Sequence, residues 1–261
     1  MKRPQSDVAI LIPAFNEAGT LRGIVERALA VCPWVIVVDD GSTDDTRATL
    51  AGLPIDLLVN GTNSGKSASL WRGLVHAFDD GAAHVVTLDA DGQHCPEDMP
   101  RLLEIARRNP RSFVIGSRLH DKAKIPFVRY CGNKWGSFVI SWACGYVIPD
   151  CQSGFRVYPA AVMEAFGWSG PRGERFVFES EVLIRAAEHG VRSIPEPIGA
   201  IYTPGARKSH YRLVVDTARI FRLVVGGLIR RRGNLPGLMR CLRGEQPRDA
   251  HSSASTLVGD S

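Results

Sequence analysis

"VIVVDDGSTDDT", Val35 to Thr46, runs from an uninterrupted aliphatic stretch directly into two carboxylates and a glycine turn. A short run of β-branched residues without polar alternation suits a strand buried on both faces. Asp39 and Asp40 then fall where that strand ends, and Ser42 and Thr43 offer start signals for a helix. The same pattern recurs outward in both directions. Strands are predicted over Asp7–Pro13, Trp34–Asp40, Ile55–Asn60, His84–Ala90 and Ser112–Ser117. Helical periodicity fills the gaps at Ala18–Val31, Thr43–Leu53, Gly65–Phe78 and Pro96–Arg108. Strand–helix alternation of this kind predicts an α/β fold, a mainly parallel sheet flanked by helices. Ligands of such sheets gather outside the carboxyl ends of the strands. Here those ends read "PAFNE", "DDGSTD", "DADGQH" and "GSR", three of them acidic.

One stretch competes with this reading. "GTNSGKS", Gly61–Ser67, resembles the phosphate loop of nucleotide hydrolases, but only three residues separate Gly61 from Gly65 where that loop has four. The loss of one residue redirects the backbone N–H donors, and clustered carboxylates are the wrong surroundings for a bare phosphate. A P-loop NTPase is therefore a remote alternative. The 261 residues suffice for one large domain or one domain plus an appendage. The net charge of +5 is uneven, with acidic residues in the first hundred positions and Arg and Lys gathered after residue 200. That asymmetry predicts a basic C-terminal surface for an anionic partner, or a solvated basic tail. Six cysteines show no zinc spacing and no C-x-x-C pair, so reduced thiols in a cytosolic protein are expected. No targeting segment is apparent, and the longest uncharged run, Trp135–Pro149, is too short to span a bilayer.

Beyond residue 120 the alternation lapses. His120–Tyr130 reads as a polar loop, Asn133–Ile148 as an apolar helix and Phe178–Gly190 as a helix closed by its glycine. Tyr211–Arg232 is a long amphipathic stretch, and the polar, aperiodic Gly244–Ser261 reads as a disordered tail.

Chemistry concentrates at "TLDADGQH". Asp89, Asp91 and Gln93, with a turn at Gly92, form an oxygen-rich group suited to Mg²⁺ or Mn²⁺. The bland alternative is an acidic turn capping the helix near Pro96. Asp39 and Asp40 can accept from a nucleobase N–H or a ribose hydroxyl, or can merely cap the next helix. Glu17 adds a third acidic strand end, and three on one sheet edge exceed what capping requires.

"LIPAFNEAGTL", "VIVVDDGSTDDT", "NSGKSASLWRGL", "VVTLDADGQH", "GSR" and "DCQSGFRVYP" follow one another in the order found in family-two glycosyltransferases. The match covers about residues 7–210 and looks most similar to the dolichol-phosphate mannose synthase and polyprenyl-phosphate glycosyltransferase branch. Residues 211–243 read from their own pattern as a basic amphipathic helical region. The resemblance implies a GT-A fold over 1–210, with a nucleotide-sugar half (7–118) and an acceptor half (119–210). It implies inverting, metal-dependent transfer from GDP-mannose or a UDP-glucose type donor. By position, Pro13, Phe15, Glu17, Val38, Asp39 and Asp40 would surround base and ribose, with Lys66 in the N-x-G-K stretch and Ala90 against the nucleotide. Asp89 and Asp91 would hold the metal–diphosphate with Gln93 as a further ligand. Arg118 and Arg129 match family arginines near diphosphate and acceptor phosphate; with Asp91 they are the catalytic candidates.

A hydroxyl acceptor needs a general base, whereas a phosphate oxyanion is already ionised. The relevant stretch, "RFVFESEVLIRAAEHG", has no Glu-Asp pair, which favours a polyprenyl or dolichyl phosphate. Arg129, Arg156, Arg207 and Lys208 are candidates to grip it, because guanidinium matches phosphate bidentately. Glu181 reads either as the branch's glutamate beneath the site or as an exposed charge paired with Arg185. The order "RKSH" departs from the branch's usual Ser-Lys, leaving His210 as either a late metal ligand or a surface residue. In Tyr211–Arg232, Arg212, Asp216, Arg219 and Arg222 form one polar stripe and Arg230–Arg232 a basic cluster. Such a helix can lie in a membrane interface or pack on the core. The expected partners are a nucleotide sugar, a lipid phosphate and a cytoplasmic membrane face, with room for an anchoring protein and no nucleic acid. The rivals are a glycosyltransferase with a hydroxyl acceptor and a non-catalytic nucleotide-sugar-binding subunit.

Overall fold

The computed structural model describes residues 6–118, 127–165, 167, 170, 178–199, 213–231 and 233–244, with backbone only at 127–129 and 213–219. Among these residues the strands are β1 (Val8–Ala14), β2 (Val35–Asp39), β3 (Asp56–Val59), β4 (His84–Thr87), β5 (Ser112–Ser117), β6 (Arg156–Pro159) and β7 (Arg192–Pro197). They form one sheet in the order β3-β2-β1-β4-β6-β5-β7. Every pairing is parallel except the two made by β6, which runs against both β4 and β5. The helices are α1 (Leu21–Val31), α2 (Thr46–Thr49), α3 (Lys66–Asp79), α4 (Met99–Arg108), α5 (Phe127–Cys144), α6 (Ala160–Ala165), α7 (Phe178–Glu188), α8 (Leu213–Arg230) and α9 (Leu235–Arg243).

The apolar runs behave as their composition demands. β1 and β2 are buried at every position because helices cover the centre of the sheet. α3 packs on β1, β2 and β4, and α4 on β4, β5 and β6. A side chain at Gly73 would strike Leu11, so α3 lies directly against β1. At the sheet's edge β3 alternates, leaving Leu57 and Val59 exposed. α5 packs against α7, α8 and α9 and forms a helical layer beside the β5–β7 edge.

From β1 the chain first pairs outward to β2, then returns to place β4 on the other side. That reversal opens a crevice at the carboxyl ends of β1 and β4, the usual binding place of such sheets.

Several expectations change. α2 is one turn rather than Thr43–Leu53, because Ser42, Asp44 and Thr46 spend their side chains on loop contacts. α5 starts at Phe127, inside the predicted loop, and ends at Cys144 where Gly145 turns with positive φ. β6 and β7 were not expected. β7 carries Pro195 and Pro197, which an edge strand tolerates because one side of its ladder has no partner. α8 ends at Arg230. All six cysteines are free.

Candidate active site

The loops after β1, β2 and β4 are stitched into one rim. Asn16 adopts the left-handed conformation (φ 56°), which aims its side chain at the next loop. Its Oδ1 accepts from Thr43 N at 2.8 Å, and its own N donates to Ser42 Oγ at 2.9 Å. Glu17 N donates to Thr46 Oγ1 at 2.8 Å. Thr20 Oγ1 donates to the Ala90 carbonyl at 2.9 Å, closing the crevice from β1 to β4.

The two aspartates at the end of β2 divide the work. Asp40 is buried; its Oδ1 accepts from Asn60 Nδ2 (2.8 Å) and Ser64 N (2.9 Å), and its Oδ2 from Gly65 N (2.7 Å). Asp40 therefore fixes the Gly61–Gly65 loop and the start of α3. Gly41 (φ 73°) lets the two loops touch, since a β-carbon there would lie 2.8 Å from Thr62 C. Asp39 is fully buried and accepts from Ser42 N at 3.2 Å. Its Oδ2 accepts no hydrogen bond, and Arg47 Nε stands 3.4 Å away. Pro13 and Val38 face one another across β1 and β2 and are buried in the sheet beneath; Phe15 and Glu17 are half-buried at the rim.

α3 begins with Lys66, whose Nζ lies 2.6 Å from Asp89 Oδ1 and 2.7 Å from Glu179 Oε1 on α7. Burial alone would discharge this ammonium, but the two carboxylates raise its pKa well above the usual lysine value. Burial likewise opposes charge on Asp89, and the Lys66 ammonium overrides it, holding the carboxyl well below its ordinary range. Gly154 lies against that carboxylate; a β-carbon there would clash with Asp89 Oδ2. Thr87 Oγ1 donates to the Gly154 carbonyl at 2.7 Å and keeps the two segments together. The buried His94 ring stands 3.8 Å from Asp89 Oδ2, and neither ring nitrogen makes a hydrogen bond.

Beside this triad runs a second chain of contacts. Asp91 is exposed and accepts from Gln93 N (3.1 Å) and Gln93 Nε2 (2.6 Å). Gln93 Oε1 accepts from Arg118 Nη1 at 3.5 Å. Arg118, after β5, donates from N and Nε to the fully buried Asp150 Oδ2, both at 3.1 Å. A buried carboxylate anchoring a guanidinium fixes its plane, here beside Gln93.

Two expectations are corrected. Arg156 is almost fully buried, and Nε, Nη1 and Nη2 donate to the carbonyls of Ser153, Glu179 and Cys151. It ties the segment before β6 to the start of α7 and has no fork left for a phosphate. Glu181 is buried, so it is not the exposed charge that one of its two readings expected. The side chain of Arg129 and all of Arg207, Lys208 and His210 lie outside the described residues; the Arg129 backbone is in the first turn of α5. The sequence reading missed Glu179, Asp150, Gly154 and His94. Glu179 looks like an ordinary acid in a helix's first turn, and its partner is on a distant helix. A cavity of about 150 Å³ beside Tyr146, Arg192, Arg231 and Arg240 lies away from these strand ends. There Arg231 donates to the Ala143 and Cys144 carbonyls at the end of α5.

Residues 9–167, more than half of the chain, match the family described as Glycosyl transferase family 2. The chain belongs to glycosyl transferase family 2. It is 26% identical over 239 residues to the UDP-N-acetylglucosamine–dolichyl-phosphate N-acetylglucosaminyltransferase of Methanococcus voltae, covering 84% of this chain and 95% of that one. It is 30% identical to the undecaprenyl-phosphate mannosyltransferase of Micrococcus luteus, covering 73% and 82% respectively. Among solved structures, glucosyl-3-phosphoglycerate synthase from Mycobacterium tuberculosis, crystallised with Mn²⁺ and UDP-glucose, aligns with a TM-score of 0.61. That alignment has 17% identity and covers 87% of this chain and 79% of the other. The family-2 chain is thus a glycosyltransferase with a GT-A fold. Its acidic rim lies at the carboxyl ends of β1, β2 and β4, the side on which open α/β sheets generally bind their ligands.

Proposed function

We propose that this family-2 enzyme transfers a sugar, with inversion, from a nucleotide sugar to a polyprenyl or dolichyl phosphate at a membrane surface. The observation that carries the acceptor class is the state of the α7 carboxylates. Glu179 is bound to Lys66 and Glu181 is buried, so neither offers a base to a hydroxyl. A lipid phosphate needs none. The named relatives support the same reading, since both act on lipid phosphates by their descriptions.

The donor set fits a divalent metal shared with a diphosphate. Among the described residues no three His, Cys, Asp or Glu side chains form a protein-only cage. A magnesium-type ion, however, uses one or two carboxylates and takes phosphate oxygens for the rest. Asp89, Asp91 and Gln93 on one turn supply that partial set. The metal would neutralise the diphosphate and stabilise it as a leaving group. The protein's own groups do the remainder. Asp39 Oδ2, buried without a hydrogen bond, would accept from the base or ribose. Arg118 and Lys66 add positive charge where the diphosphate departs. The acceptor oxyanion attacks the anomeric carbon from the opposite face as its bond to the diphosphate oxygen breaks, which inverts the configuration. Arg129, at the start of α5, is the candidate to orient the acceptor. The reading keeps GDP-mannose and UDP-glucose types as donors.

Membrane contact is assigned to α8 and α9. Phe221 and Ile229 on α8 and Leu235, Met239 and Leu242 on α9 are exposed, with Arg222, Arg240 and Arg243 exposed beside them. No described helix is long and apolar enough to cross a bilayer. Two members of the expected cluster Arg230–Arg232 are engaged within the fold. Arg230 pairs with Glu188 at 2.7 Å, Arg231 caps α5, and Arg232 lies outside the described residues.

The deciding experiment offers radiolabelled GDP-mannose and UDP-glucose with Mn²⁺ to the enzyme, alongside polyprenyl phosphate or free polyprenol. Labelled lipid is expected from the phosphate alone. Equal transfer to the alcohol would overturn the acceptor class.

A further inference from the structure

Lys66 does more than add positive charge. Its ammonium sits between two carboxylates, at 2.6 Å from Asp89 Oδ1 and 2.7 Å from Glu179 Oε1. The other approaches to Asp89 are restricted: Gly154 lies against the carboxylate, and the buried His94 ring stands by Oδ2. A divalent ion held by Asp89 needs an oxygen at about 2.0–2.2 Å. It would then lie within a few ångströms of an ammonium bonded to the same carboxylate, and like charges at that distance repel strongly in a partly buried site. Glu179 gives the ammonium somewhere to go, because it is already within hydrogen-bond distance and is anchored at the start of α7.

We infer that Lys66 and the divalent cation compete for Asp89, with Glu179 as the positioning residue that takes the displaced ammonium. The inference rests on the reading of Asp89 as a metal ligand. It explains how a site with few carboxylates can accept metal chiefly together with a diphosphate. The nucleotide's negative charge offsets the repulsion between ammonium and metal, and its oxygens give Lys66 a second partner. Metal and nucleotide then bind with positive coupling, through a lysine that resists the metal and attracts the phosphate.

The test is Mn²⁺ binding to the full chain, read by electron paramagnetic resonance of free Mn²⁺, with and without UDP or GDP. Lys66→Met should bind Mn²⁺ alone at least ten-fold more tightly than wild type, yet bind the Mn²⁺–nucleotide complex more weakly. Glu179→Gln should weaken binding of Mn²⁺ alone, because the ammonium then has only Asp89. In the Lys66→Met background, Glu179→Gln should change little, since Glu179 acts through the lysine; a plain charge effect would persist there. The double variant also removes one of the two carboxylates left without their ammonium, should the single lysine variant fail to fold. Unchanged or weaker Mn²⁺ affinity in a folded Lys66→Met or double variant overturns the competition. So does unchanged or tighter affinity in Glu179→Gln. If no form binds Mn²⁺ even with nucleotide, the metal reading of Asp89 is what fails.

Discussion

Gly154 is a residue at which a single methyl group should disturb the Asp89 carboxylate directly. A β-carbon at 154 would clash with the Asp89 carboxylate, so Gly154→Ala must displace that carboxylate. The backbone at 154 does not have positive φ, so alanine itself is not strained. Displacing a binding group by about 1 Å costs on the order of 100-fold in rate. We expect kcat/KM to fall by about that factor and Tm to fall as well, because the carboxylate is held in an ion pair with Lys66; wild-type turnover would contradict the placement of Asp89. Asp91→Asn should likewise remove most turnover but leave Tm unchanged, because Asp91 is exposed. Persistence of transfer in excess EDTA would count against the metal. At this scale the sequence revealed the residues of short acidic turns, since Asp89, Asp91 and Gln93 are local. It did not reveal Asp150 or Glu179, whose meaning comes from the partners Arg118 and Lys66 supplied by other elements. Arg156 misled for the converse reason. Its side-chain chemistry fits phosphate equally well, and only burial shows that backbone carbonyls have claimed it.

Arg156 acts between elements, and its stability effect belongs there. Three buried carbonyls lose their donor in Arg156→Met, and each unsatisfied acceptor costs about 1–3 kcal/mol. Relaxation will recover part of this, so a loss of roughly 3–5 kcal/mol is expected in urea denaturation. A change within 0.5 kcal/mol would mean that water replaces the guanidinium. At the start of β4, burial lowers the His84 pKa; Asp7 opposes that shift and Arg107 adds to it. A histidine with a depressed folded pKa stabilises the fold above its unfolded value of about 6.5. That contribution is lost as pH falls from there toward the folded pKa. The Tm of His84→Gln should therefore decline less than wild type between about pH 7 and 5.5, and parallel curves would refute the assignment. Elements were legible where apolar runs were long and central, as in β1 and β2. They were hidden where sheet position overrode composition: four-residue β6 opens on a buried arginine, and edge strand β7 carries two prolines.

At the scale of the whole molecule the proposed lipid acceptor raises the question of what would hold the enzyme at a membrane. The amphipathic sequence after residue 210 suggested a membrane contact but could not show which side chains the core would consume. Arg230 and Arg231 are spent on Glu188 and the end of α5. Ile229, Leu235 and Leu242, by contrast, are 72%, 66% and 63% exposed. Their replacement by Gln should cost the fold little, since they already face water. In a bilayer interface each would give up roughly 1 kcal/mol of partial burial, against about 1.5–3 kcal/mol for a fully buried aliphatic side chain. The triple variant should therefore partition onto anionic vesicles about a hundred-fold less well than wild type, with Tm unchanged. Arg231→Gln should do the opposite, lowering Tm through the lost α5 cap while vesicle binding persists. Salt should weaken the wild-type interaction only in part, because the apolar contribution is not screened over the Debye length of about 8 Å. Vesicle sedimentation decides between the two sets of residues: equal pelleting of wild type and the triple Gln variant would return α8 and α9 to the soluble core.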